Sequence, residues 1–226
     1  VARHAWNWGL WLTKNILDYN KANPNEKLKF PTAIDLHKLL VALVKSENQW
    51  YYECSKSTPQ QALMALREAW KRCFNKTAGV PKFKKKGRRD SFALEGTVKI
   101  LGNNKIQVPV IGSLKTYERL PQVSIKSCTI SRQADRWFIS FRFDREQQAA
   151  STASVVVVDL GIKALATLST GSVVLGAKSN KKYAAKLSRM QWLNRHKTIG
   201  SNNWKQAQFE IARLHRKIAN IRSYTL

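Results

Sequence analysis

Four consecutive valines, Val155 to Val158, run into Asp159 and are followed by Leu160, Gly161, Ile162 and Lys163. No other stretch of the chain restricts its own conformation as tightly. β-Branched side chains are stiff about χ1 and suit a strand, and an unbroken run of them suits a strand covered on both faces. Gly161 lets the chain turn sharply into a second strand, expected over Ala164 to Leu168. Asp159 would then stand at the mouth of a buried strand, held rigidly beside a groove.

Two chemistries use a carboxylate in that position. In a nuclease of the ribonuclease H type it is one of several carboxylates that hold two Mg²⁺ ions across a scissile phosphate. In actin-like ATPases and sugar kinases it faces a nucleotide phosphate. A third reading, an aspartate that only caps a hairpin, requires no chemistry. Charge separates the first two: 40 Lys plus Arg stand against 14 Asp plus Glu in 226 residues, a net charge of +26. An ATP pocket needs a few cations at one place, whereas an excess spread along the chain suits a long phosphate backbone whose counterions are released on binding. The same balance fits an acidic membrane surface, but no apolar run approaches the ~18 residues of a membrane span, and no signal peptide or polybasic amphipathic anchor is evident.

With 43% hydrophobic and 10% aromatic residues the chain can bury real cores, in more than one domain. Cys54, Cys73 and Cys128 are odd in number, far apart and without CxxC spacing. They support neither a disulfide framework nor a zinc site, and fit a reducing, intracellular setting. The chain has no initiator methionine and no Gly or Pro stop after its last helix, so it reads as a piece of a longer protein.

Residues 1 to about 80 read as helical. Trp6, Leu10, Thr13 and Leu17 recur at helical spacing beside Trp8, Trp11, Leu12 and Ile16, an apolar face wide enough to require cover, with the aromatics in the core. Asn23-Pro24-Asn25 ends that helix. A second is expected over Thr32 to Ser46 with Ile34, Leu36, Leu39, Leu40, Leu43 and Val44 buried. A third begins with Thr58 as N-cap, Pro59 at the first helical position and Gln61 in a capping box, and lines one face with Leu63, Leu66, Trp70 and Phe74. The run Pro81 to Arg89 carries six cations, Lys82, Lys84, Lys85, Lys86, Arg88 and Arg89, and no acid. It cannot pack into a core, and Phe83 among the lysines favours phosphate contact over a merely solvated loop.

From Ser91 to Asp144 the period becomes two. Val98 and Ile100, the turn Gly102-Asn103-Asn104, Ile106 and Val108, Val123 to Ile130, and Trp137 to Phe143 predict an antiparallel sheet or small barrel. A small, polar linker, Gln147 to Ser154, precedes the valine strand. A third strand, Ser172 to Leu175, and two basic helices, Asn180 to Lys197 and Asn202 to Arg222, complete the strand, strand, strand, helix order with which the ribonuclease H fold opens. Phe209, Ala212, Leu214 and Ile218 form the apolar side of the last helix.

The chain resembles the transposon-encoded TnpB (OrfB) family, compact RNA-guided nucleases related to type V CRISPR effectors. The resemblance covers nearly all of its length and rests on the order and spacing of short motifs. These are Ala5-Trp-Asn-Trp-Gly-Leu10, Gln60-Gln-Ala-Leu63 through Ala69-Trp-Lys-Arg-Cys-Phe74, Pro81-Lys-Phe-Lys-Lys-Lys86, Val108-Pro-Val-Ile-Gly112, Arg136-Trp-Phe-Ile-Ser140 and Asp159-Leu-Gly-Ile-Lys163. It implies an α+β multidomain chain: a helical recognition domain over residues 1–85, an antiparallel β-barrel wedge domain over 86–150, and over 151–226 the N-terminal part of a RuvC-like α/β nuclease domain with basic helices. It implies as partners a guide RNA and double-stranded target DNA, with no membrane and an oligomeric state left open, in the cytoplasm of a prokaryote near its nucleoid. Base pairing would supply sequence specificity, and the protein would read a short motif beside the target.

Phe30, Lys56 and Gln60 fall where family members read that motif. Gln60 is equipped to read an adenine edge, Lys56 a base or phosphate, and Phe30 only to stack or touch a methyl. Lys178, Lys181 and Lys182, at the start of the first basic helix, complete the expected nucleic-acid contacts. Asp159 matches the family's first catalytic and Mg²⁺-binding carboxylate. After it come thirteen Lys or Arg and one acid, Glu210, read as an intrahelical salt-bridge partner. The family's other two carboxylates, and the four-cysteine zinc module, would lie beyond Leu226. The expected function is an RNA-guided, Mg²⁺-dependent DNA endonuclease. The alternatives are an RNA-guided DNA binder that no longer cuts, serving as a repressor or a transposition-targeting subunit, and an actin-like ATPase, which +26 opposes.

Overall fold

The computed structural model describes residues 1–87, 90–96, 98–144 and 155–225. The chain is α+β and divides into two units, Val1–Arg132 with Trp137–Arg145, and Gln133–Arg136 with Glu146–Leu226.

The first unit starts with α1 (Ala2–Ala22), α2 (Ala33–Leu40) and α3 (Ser57–Phe74). Trp6, Leu10, Leu36, Leu40, Leu63, Leu66 and Trp70 form its core. The wide apolar face of α1 is only partly covered: Trp6 and Leu10 are buried, whereas Trp11 is 54% exposed. Two helices, α2 and α3, can cover one stripe of α1, not its whole circumference. Thr13, fully buried, resolves its polarity locally. Its hydroxyl lies 2.8 Å from the Gly9 carbonyl and accepts the Trp70 indole N–H at 3.0 Å.

α2 opens with a capping box that the sequence analysis did not pick out. Asp35 N–H donates to Thr32 Oγ1 at 3.2 Å and Thr32 N–H to the Asp35 carboxylate at 2.9 Å. Hydrogen bonds from Thr32 hold the Asp35 carboxyl below its usual pKa. The helix continues as a π-helical turn, Val41–Lys45, and buries only Leu36, Leu40 and Val44 of the six expected residues. Ile34, Leu39 and Leu43 are exposed, because α3, with a smaller contribution from α1, covers only one side of the helix. The cap expected at Thr58 is displaced. α3 begins at Ser57 with Lys56 as N-cap and no side-chain cap bond, and Thr58 is buried within the first turn. Gln61 reaches across to Glu95 instead of back to the helix start.

The sheets that follow are small, open and antiparallel. β1 (Ser91–Glu95), β5 (Ser127–Gln133) and β6 (Arg136–Arg142) form one in the order β1-β5-β6, and β2 (Lys99–Gly102), β3 (Lys105–Val108) and β4 (Gly112–Lys115) the other. Leu94, Ile106, Val108, Cys128 and Ile130 make a core common to both. The expected barrel is therefore corrected: closure needs every strand to have two neighbours, and β1, β6, β2 and β4 each have one.

In the second unit, β7 (Val158–Asp159), β8 (Ala166–Leu168) and β9 (Val173–Val174) form a third antiparallel sheet, followed by α4 (Ser179–Arg195) and α5 (Asn202–Thr225). Val158 pairs with Leu168 and Asp159 with Thr167. The expectation of a strand covered on both faces fails for these residues: Val155, Val157 and Val158 are 92%, 68% and 50% exposed. β7 is an edge strand, and among the described residues only β8 accompanies it. On α5 the buried residues are Ala207, Leu214 and Ile218, with Phe209 exposed, and Ser179 Oγ donates to the Ile218 carbonyl at 3.2 Å where α4 meets α5. Glu210 accepts from Gln206 at 3.4 Å, and no ion pair to it is described.

The Trp70–Thr13 bond carries a prediction. Thr13→Val keeps the shape of the side chain but leaves a buried indole N–H without its acceptor, which costs about 1 to 3 kcal/mol. The urea midpoint of the chain should fall correspondingly at unchanged m-value. A change below about 0.5 kcal/mol would mean that the indole finds another acceptor.

Candidate nucleic-acid interface

The basic run is not a free loop. Pro81 is buried. The Lys82 carbonyl accepts the Trp6 indole N–H at 3.1 Å, and Asn7 holds Lys84 at both backbone groups, accepting from its N–H at 2.8 Å and donating to its carbonyl at 3.0 Å. Lys84 Nζ lies 3.8 Å from the centre of the Trp6 ring, and Lys14 Nζ 5.3 Å from that of Phe83. Burial pushes the Lys84 ammonium below its usual pKa. Lys84 thus rests on the Trp6 ring of α1 without entering the core: Lys82, Lys84, Lys85 and Lys86 are all exposed. The Ala5-Trp-Asn-Trp-Gly-Leu10 motif therefore has a physical role, since Trp6 and Asn7 anchor the lysine loop. Arg88 and Arg89 lie outside the described residues.

Lys56 and Gln60 are both exposed at the start of α3. Phe30 is elsewhere. Its ring meets Trp70 and Phe74 edge-on, with centroids 5.8 and 5.3 Å away, and the Arg67 guanidinium lies 5.1 Å over it. At 1.5 Å per residue, Trp70 is about 15 Å along α3 from Gln60. Lys56 and Gln60 are brought together; Phe30 is not brought to them.

The first unit also contains a cleft of about 560 Å³ that sequence reasoning missed, lined among others by Arg3, His4, Trp50, Lys84, Lys85 and Trp137. His4 Nδ1 lies 2.8 Å from the Tyr51 hydroxyl, and burial lowers the His4 pKa. The cleft draws on α1, the Trp50 turn, the strands β1 and β6 and the turn between β3 and β4, so no local pattern announces it.

In the second unit, Lys178 precedes α4 in a left-handed conformation, φ 42°, and Lys178 and Lys181 line a recess of about 440 Å³ with Arg222 of α5. Lys182 is exposed, with Nζ 6.0 Å from the Tyr183 ring centre, and Lys217 Nζ lies 5.2 Å from the same ring. Arg222 and Lys217, absent from the sequence-based set, join the group because α5 returns alongside α4.

Asp159 is exposed at the end of β7. Gly161 follows it where an added Cβ would lie 3.1 Å from the Ala164 carbonyl, a tight contact that glycine avoids. Among the described residues no three His, Cys, Asp or Glu side chains come together in a way that could hold a metal ion. Cys54, Cys73 and Cys128 are free. No described helix is long and apolar enough to cross a membrane.

The OrfB family of IS605 elements, described as "Probable transposase", matches residues 138–224. "Putative RNA-guided DNA endonuclease InsQ" of Escherichia coli K12 is 37% identical over 182 residues, 78% of this chain and 45% of that protein. Proteins with the same functional name from Streptomyces pristinaespiralis and Mycobacterium tuberculosis H37Rv are 31% and 27% identical, over 75% and 99% of this chain and 44% and 56% of their own. The chain spans about half the length of the curated relatives it matches. On these matches and the order of its motifs, the chain belongs to the TnpB (OrfB) family of transposon-encoded proteins.

Proposed function

We propose that these residues are the nucleic-acid-gripping part of an RNA-guided DNA endonuclease, and that they contribute one carboxylate, Asp159, to its cutting centre. In this reading α1 to α3 recognise the target-adjacent motif, the two sheets over a common core serve as the wedge, and β7 to α5 begin the RuvC-like nuclease. The observation that carries it is the anchored basic loop: four exposed lysines on a backbone fixed by Trp6 and Asn7, in a chain of net charge +26. Cations on a held backbone lose little freedom when they meet phosphates. The names of the relatives support guide RNA and DNA as partners.

Mg²⁺ is the cofactor such a centre takes. The residues described do not fit it by themselves, since a cation that demands near-octahedral oxygen ligation finds only one carboxylate at β7. Further ligands would come from other parts of a longer protein. The lone carboxylate also keeps a second reading in view, an RNA-guided DNA binder that no longer cuts.

The chain should bind structured RNA with an affinity that falls steeply with salt. Replacing Lys82, Lys85 and Lys86 by alanine, leaving Lys84 on its ring, should flatten the plot of log K against log salt by up to about 2, at about 0.7 per single-strand phosphate. An unchanged slope would return the loop to simple solvation.

Gln60→Ala in the full-length, guide-loaded protein should cost on the order of 1 to 3 kcal/mol against the preferred duplex motif and leave guide affinity unmoved. Equal losses on every duplex would show that Gln60 positions the backbone instead.

These 226 residues alone should not cut DNA at any Mg²⁺ concentration. In the full-length protein, Asp159→Ala should abolish cleavage while guide and target binding persist. Cleavage by the isolated chain would overturn the one-carboxylate argument. A full-length protein that binds but never cuts, with or without Asp159, would establish the second reading.

A further inference from the structure

α5 carries Arg213 and Arg216 three residues apart, so both leave the same face of the helix. Both close on one carboxylate. Arg213 Nε donates to Asp135 Oδ2 at 3.0 Å and Arg216 Nη1 to Asp135 Oδ1 at 3.1 Å. Arg216 also donates to the Gln133 carbonyl at 3.2 Å. Asp135 lies in the short turn between β5 and β6, and the segment Gln133–Arg136 belongs to the same unit as α5. Its neighbour Ala134 has φ 55°, a left-handed conformation unfavourable for a residue with a Cβ, so the turn is held in a shape its own residues do not prefer.

The cluster is partly open. Side-chain exposure is 50% for Arg213 and 32% for Asp135, against 16% for Arg216. Water screens such pairs, so separating them costs little. The guanidinium fork that fits a carboxylate fits a phosphate equally, and a polyanion adds the release of its condensed counterions, which Asp135 cannot match. The same helix presents Lys205, Lys217 and Arg222 as further exposed cations. One carboxylate thus holds two arginines on a helix that otherwise displays unmasked positive charge.

We propose that Asp135 is an internal phosphate mimic: in the free chain it occupies Arg213 and Arg216, and an RNA backbone phosphate displaces it, so that the two arginines form a binding site that opens only to a polyanion. The inference rests on the RNA-binding reading above. The mask lowers the affinity of the free chain for stray anions and leaves the site available to a long, correctly seated backbone.

The test is a set of variants of the whole chain titrated with structured RNA. Asp135→Asn keeps the size of the side chain and removes its charge. It should tighten binding by about 2- to 30-fold, the range to which two partly exposed ion pairs of up to about 1 kcal/mol each correspond. The gain should vanish when Arg213→Gln and Arg216→Gln are added, and those two changes alone should flatten the salt dependence by up to about 1.4. In the unmodified chain the Asp135 carboxyl carbon resonance should move towards the position of a free carboxylate as RNA saturates, which tests the idea even if the Asn variant does not fold. Equal or weaker binding by a folded Asp135→Asn chain, or an unmoved resonance, would overturn the proposal. No RNA binding by the unmodified chain would remove the functional reading as well, whereas normal binding indifferent to Asp135 would remove only this one.

Discussion

α1 and α3 meet at Gly9, where any side chain would collide: a Cβ there would lie 2.7 Å from Leu63 Cδ2 and 2.9 Å from Leu66 Cδ2. That approach lets Leu10 and Thr13 reach the face of α3 that carries Leu63, Leu66 and Trp70, and the Trp70–Thr13 hydrogen bond closes the contact one turn further on. Packed interiors respond to changes of a single methyl group, so a Cβ at Gly9 would force the Leu63 and Leu66 side chains to shift. Lys56 and Gln60 are the exposed residues at the start of the same helix, beside the buried Ser57, Thr58 and Pro59. α1 also holds the lysine loop, through Trp6 and Asn7. One helix therefore packs against both segments that carry candidate contacts in the first unit.

The electrostatics follow from how this loop is anchored. A chain with 26 more cations than anions has few acids with which to position its lysines. The loop is held instead by neutral donors and acceptors on its backbone and by the Trp6 ring under Lys84. Such anchoring leaves the positive charge of Lys82, Lys85 and Lys86 unneutralised, and a polyanion meets that charge in full. Asp135 is the contrasting case, a carboxylate that does take two arginines.

Legibility differed with the range of the interaction. The end of α1 at Asn23, the hairpin between Ile100 and Ile106, and the three short strands before α4 were readable, because each depends on neighbours a few residues away. The start of α3 was misread although its signal was local. Thr58-Pro59 had the composition of a cap, but the Thr58 N–H donates to the Ser55 carbonyl and the helix begins two residues earlier, at Ser57. The capping box that does form, Thr32 with Asp35, had the right spacing and was overlooked. Periodicity named the apolar positions of α1 and α2 but could not say how many neighbours would arrive to bury them, and so Trp11, Ile34 and Leu43 are exposed.

The sequence by itself determined the alternation of helical and strand segments, the charge, and the position of Asp159 at a strand end, because these depend on residue type and short-range spacing. Only the tertiary structure decided that the two sheets remain open, that the valine strand is an edge, that Phe30 packs on Trp70 away from Gln60, and that Arg213 and Arg216 share Asp135. Each of these depends on which distant segment arrives beside which, and the arrival is set by the competition of many weak contacts rather than by any local preference.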